Sequence, residues 1–151
     1  MLRLIDEILT EEGDQRAANL NEALEFLNKV TRRKVVTFLI SDFLTPEPFS
    51  HALNVSSRRH DLIPLVLTDP AEEELAKVGL LSVEDAASGE LSFYDVSGRG
   101  ASAYRQAQAA RDEELQTLFK RAGVAHIRVR TDDSDYAAPL VNYFKIRARR
   151  G

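Results

Sequence analysis

Apolar side chains recur at helical spacing in Leu2, Ile5, Ile8 and Leu9 until Glu12, Gly13 and Asp14 interrupt them, predicting a short amphipathic helix at the start. A second helix is predicted from an Asn19 cap, with Glu22 in the capping-box position and Leu20, Ala23, Leu24, Leu27 and Val30 as its apolar stripe. The rhythm then changes. Val35 to Ser41 is short and apolar on both faces, the pattern of a central parallel strand buried between helices. After Pro46 and Pro48 a helix from Phe49 to Arg59 turns Phe49, Ala52 and Leu53 inward, and Leu62 to Thr68 reads as the next strand. Pro64 has no N–H for a ladder, so it belongs near that strand's start or where the N–H would face away from a neighbour.

Two alternating runs, Leu81 to Glu84 and Leu91 to Tyr94, flank the Ser88-Gly89 turn signal and predict a β-hairpin. A long helix from about Ala101 to Ala122 carries Tyr104, Leu115, Leu118, Phe119 and Ala122 and stops at Gly123. Ile127 and Val129 alternate with Arg128 and Arg130, which suits a strand nearer the sheet edge. A last helix from Asp135 directs Leu140, Val141 and Phe144 inward and ends in the basic residues Lys145, Arg147, Arg149 and Arg150. This order predicts an α/β three-layer sandwich: a mostly parallel sheet with right-handed crossovers and helices on both faces, plus an inserted hairpin.

Composition narrows the function classes. At 151 residues, 44% of them hydrophobic, the chain suits one domain. Its 24 acidic and 20 basic residues leave a formal charge of -4, so no general positive field exists to draw in nucleic acid or an anionic membrane. The absence of cysteine excludes disulfides and thiolate metal sites, and suits a reducing compartment. No apolar run approaches a membrane span and the acidic start is unlike a signal peptide, so a soluble cytoplasmic chain is expected.

In a parallel sheet, ligands gather at the carboxyl ends of the strands. Here those ends read Ser41-Asp42, Thr68-Asp69 and Thr131-Asp132-Asp133, so Ser41, Asp42, Thr68, Asp69 and Asp132 form the candidate rim. Hard oxygen donors from several strand ends suit a divalent cation, whereas Asp42 and Asp135 also suit simple capping of the segments that follow. Motifs for a nucleophile elbow, a phosphate loop, a dinucleotide fingerprint or a zinc protease are missing. Gly98-Arg99-Gly100 lacks a third glycine and reads as a loop; His51, His60 and His126 stand in separate elements and form no cluster.

The runs LNEALEFLNKVTRRKVVTFLISDFL, SSRRHDLIPLVLTDPAEEEL, VGLLSVEDAASGE and LVNYFK resemble a bacterial family named domain of unknown function fifty-eight. The resemblance implies a von Willebrand factor A-like fold and a role as binding partner or adaptor of MoxR-type AAA+ ATPases. Such a domain normally opens with a strand ending in Asp-x-Ser-x-Ser, and a second metal loop supplies threonine where this chain has Ala17-Ala18-Asn19-Leu20. Only Asp42 matches the third loop. By that comparison residues 1–151 are one truncated von Willebrand factor A-like domain lacking its N-terminal strands. Asp42 is a remnant metal ligand, and no cofactor is expected beyond a Mg²⁺ ion for which two of three loops are missing.

The resulting expectation is a non-catalytic interaction module using the rim, with the edge of the Val35–Ser41 strand uncovered and open to a homodimer or swapped assembly. The alternative is a metal-dependent phosphate-handling enzyme, with Asp42, Asp69 and Asp132 around one ion and Thr68 orienting substrate.

Overall fold

In the computed structural model, residues 10, 19–70, 80–84, 90–95, 99–135 and 137–149 are described. The first predicted helix therefore lies almost wholly outside the described residues.

Helix α1 (Leu20–Val30) begins where expected: the Asn19 side chain accepts a 3.1 Å hydrogen bond from the Glu22 N–H. Leu20 and Leu24 are its buried residues, while Ala23 and Val30 face outward. The apolar stripe is thus narrower than predicted. Asn28 instead turns toward α2 (Ser50–Arg59), where its Nδ2 donates to Ser56 Oγ and to the Leu24 carbonyl, both at 2.8 Å.

Strand β1 (Val36–Ser41) pairs in parallel with β2 (Asp61–Thr68), and β2 pairs in parallel with β5 (Ile127–Arg130), giving the order β1-β2-β5. The expectation of a central β1 is corrected: β2 is the central strand, and β1 stands at an edge among the described strands. Continuous apolarity signalled a strand but not its place. Its even-numbered side chains face the layer that the helices cover least, and Val36, Phe38 and Ile40 are exposed.

Pro64 occupies the middle of β2. The Asp61 N–H donates to the Val35 carbonyl and the Thr131 N–H to the Thr68 carbonyl. Odd positions of β2 thus turn their backbone groups toward β1 and even positions toward β5. Pro64 falls on the β5 side, one residue before that ladder opens at Leu65 and Ile127, so its missing donor costs no pairing.

The hairpin is present as a separate two-stranded antiparallel sheet, β3 (Leu80–Glu84) with β4 (Leu91–Asp95). Helix α3 (Arg99–Ala122) ends at Gly123, whose φ of 68° is the left-handed conformation that glycine adopts without Cβ strain. The Val124 N–H returns to the Phe119 carbonyl and the Gly123 N–H to that of Lys120, closing the helix with the paired bonds of a Schellman turn. Helix α4 (Ala137–Ala148) is capped by Asp135, which accepts from the Ala138 N–H at 3.1 Å.

Two cores follow from the alternation along β2. On one face Leu62 and Val66 meet Leu20, Leu24, Phe43, Phe49, Ala52, Leu53 and Phe119 from the α1, α2 and α3 side. On the other, Ile63 and Leu65 meet Ile127 and Val129 beneath Leu140 and Tyr143 of α4. The helical layer over this second face is thin. Val141 and Phe144, expected inward, stay substantially exposed, and Tyr143 takes the packing position instead. Among the described residues no helix is long and apolar enough to cross a membrane.

Candidate functional site

The parallel sheet brings the ends of β1 and β2 to one side, where the Asp42–Phe49 segment and α3 enclose a cleft of about 940 Å³. Its shape depends on a tight turn. After β1 the chain reverses at Phe43, whose φ of 58° is uncommon for a non-glycine residue. Local bonds hold that geometry: Ser41 Oγ accepts from the Phe43 N–H at 3.0 Å, and Asp42 Oδ1 accepts from the Leu44 N–H at 2.9 Å. The turn drives the Phe43 ring into the core, edge-on to Phe119 at 5.3 Å and beside Phe49 at 5.9 Å, and leaves Leu44 47% exposed in the cleft wall.

Of the residues predicted for the rim, Asp42 and Thr68 line the cleft. Ser41 serves the turn beneath it. Asp132 lies beyond β5 and is held by Arg130 through bonds of 3.1 and 3.3 Å, which keep its carboxyl below the usual carboxylate range. Asp69 follows β2, is exposed, and is not part of the cleft lining. The three carboxylates of the cation reading therefore do not converge, and among the described residues no group of three or more carboxylate or imidazole side chains is placed to hold a metal. Asp42 stands without a second predicted carboxylate in the cleft lining, so the described donor set does not fit a divalent cation that needs several converging oxygens.

The opposite wall was not anticipated. It is built by α3, from which Arg105, Gln108, Asp112 and Leu115 line the cleft, joined by Arg128 of β5. These α3 positions recur at spacings of three and four, a signal available in the chain but hidden by the helix's mostly polar sequence. Arg128 and Asp112 form an ion pair at 2.5 Å. Both side chains keep considerable exposure, so the pair orients the wall more than it stabilises the fold.

Behind that wall His126 packs on Phe119 with ring centroids 5.0 Å apart. Burial foremost, then the charge of Arg128, lowers its pKa below the ordinary histidine value, with Asp112 opposing. The folded chain thus binds this proton less readily than the unfolded chain. Its contribution to stability is full above about pH 6.5 and declines as pH falls through that value toward the folded pKa. Denaturant titrations near pH 7.5 and pH 5.5 should show a smaller loss on acidification for His126→Gln than for the parent. His60, by contrast, is a buried cap residue of α2, and neither ring nitrogen has a hydrogen-bond partner among the described residues.

The fold and cleft define a parallel-sheet α/β domain with a strand-end recess walled by a crossover helix. The chain belongs to the family described as "Protein of unknown function DUF58", whose profile matches residues 1–116. It is similar to "Uncharacterized protein MAV169" of Mycobacterium avium, 27% identical over 131 residues that make up 87% of this chain and 77% of that protein. It is likewise 28% identical over 131 residues to "Uncharacterized protein Rv1480" of Mycobacterium tuberculosis and "Uncharacterized protein Mb1516" of Mycobacterium bovis. The match covers 87% of this chain but only 41% of each of those two relatives. No solved structure matches.

Proposed function

We propose that this domain is a non-catalytic protein-interaction module whose strand-end cleft receives a AAA+ ATPase of the MoxR type. The observation that carries the reading is the exposed Leu44, set in the wall of a recess where Asp112 is paired with Arg128 and Asp42 accepts from the Leu44 N–H. An exposed apolar side chain within a polar surround is how protein interfaces are organised, and it supplies contact energy when a partner covers it. The kind of partner is carried by the family resemblance, and the cleft supplies a surface for it to occupy.

Titrating a labelled MoxR-type ATPase from the same genome with the purified domain tests this. Leu44→Asp should weaken binding by at least about tenfold, the scale of losing one buried apolar anchor. Phe26→Asp, on the exposed side of α1, should leave it unchanged. No binding near 100 μM (about −5.5 kcal/mol), or equal binding by Leu44→Asp and the parent, would refute the reading.

A further inference from the structure

Where α3 packs beside β5, the cleft wall is built from two short rows of side chains that face each other. On α3, Asp112, Gln116 and Phe119 recur at spacings of four and three, which sets them along one side of the helix. His126, just before β5, and Arg128 within it stand two residues apart, so both side chains leave the sheet on the same face. The rows meet in pairs. Arg128 Nη2 donates to Asp112 Oδ1 at 2.5 Å, and the His126 ring lies on Phe119 with centroids 5.0 Å apart and planes tilted by 35°. Gln116 Nε2 donates to the second Asp112 oxygen, Oδ2, at 3.4 Å. Each carboxylate oxygen of Asp112 thus has one donor. Of these side chains, the imidazole is the type that changes charge close to neutral pH.

We infer that His126 is a proton-operated switch of the cleft wall: charging its ring draws the Asp112 carboxylate away from Arg128 and releases the guanidinium into the cleft. Among the described residues, Arg128 on β5 and Asp112 on α3 are the charged groups whose fields reach the ring, and they act in opposite senses. An imidazolium is repelled by Arg128 and attracted by Asp112, so both forces favour the same rearrangement. Arg128 and Asp112 are 37% and 42% exposed, which leaves the side chains room to move and lets water replace a lost bond. Both line the cleft, whereas half-buried His126 stands behind them. The proton is therefore received behind the wall and felt in front of it. Burial and the charge of Arg128 hold the ring's pKa below the ordinary histidine value, so the closed pair prevails at neutral pH and acid opens it. In the open form the wall offers an uncommitted guanidinium, the donor fork that suits a carboxylate, and the cleft gains affinity for an acidic group.

The switch needs no occupant of the cleft, so it stands or falls apart from the ATPase reading. NMR of the full chain reads it directly: the ring C–H signals of His126 follow its charge, and the guanidinium N–H signals of Arg128 follow its pairing. As the pH is lowered from about 7.5 to about 5, the Arg128 signals should shift and exchange faster with water, at the same midpoint as the His126 ring. In His126→Gln they should stay flat over that range. Asp112→Asn should move the His126 midpoint down and Arg128→Gln should move it up, since each removes one of the two opposing fields. The gap between those two variants should narrow in about 1 M salt, where the screening length falls to about 3 Å. Arg128 signals that stay flat through the His126 midpoint, or that shift equally in His126→Gln, would overturn the inference.

Discussion

Phe119→Ala should lower the free energy of unfolding by about 3–5 kcal/mol, the range for deleting a buried aromatic ring. Phe119 is 1% exposed and reaches from the last turn of α3 into the main core, touching Phe43 on one side and His126 on the other. The loss has two parts: transfer of the ring's apolar surface, and the cavity left where rigid neighbours cannot close in. Collapse is hindered here, because Phe43 is fixed by the turn bonds of Ser41 and Asp42, and the end of α3 is fixed by the Schellman bonds at Gly123. Urea unfolding monitored by circular dichroism gives the answer as a shifted midpoint at unchanged slope. A loss under about 1 kcal/mol would mean that the end of α3 is not anchored on this core. The same substitution should loosen the cleft, since Phe43 is the buried foot of the segment that carries Leu44.

The second large effect is a contrast within one face of the sheet. Ile63 on β2 and Ile40 on β1 both point toward the α4 layer, yet Ile63 is fully buried and Ile40 is 60% exposed. Ile63→Ala should cost about 2–5 kcal/mol. Ile40→Ala should cost within about 0.5 kcal/mol, as for surface substitutions generally. Parallel denaturation of the two variants at low protein concentration checks this, and equal costs would show that Ile40 is covered in solution.

Most of the fold was legible because its signals are local. The Asn19 cap, the inward set Phe49, Ala52 and Leu53, the hairpin, the Gly123 stop and the edge position of β5 each follow from a residue type at a defined spacing, and each is present. What misread was lateral. Val35 to Ser41 is apolar at nearly every position, and periodicity cannot say whether both faces are covered or one waits for a cover. Tyr143 displaced Val141 and Phe144 as an inward residue for a related reason: α4 carries apolar residues around most of its circumference, so its pattern does not choose a face.

The site was half legible. Strand-end placement followed from parallel topology, and Asp42 and Thr68 do line the strand-end cleft. The alternative of one ion held by Asp42, Asp69 and Asp132 needs a convergence that the cleft does not show: Asp69 and Asp132 are not in its lining, and Asp132 lies past the end of β5, bound to Arg130. The α3 wall escaped notice because an arginine on a polar helix carries no mark of the cleft it faces until the tertiary fold supplies one.

The order β1-β2-β5 also has a temporal side. β1 and β2 are joined through α2 alone, so they can zip together as soon as that helix has formed. β5 arrives only after the chain from Asp69 to His126 has been laid down, and contacts of such sequence separation are slow to close. Until β5 and α4 dock, Ile63 and Leu65 lack the partners that bury them in the folded chain. A chain caught at that stage is more prone to aggregate than one whose β5 and α4 have docked.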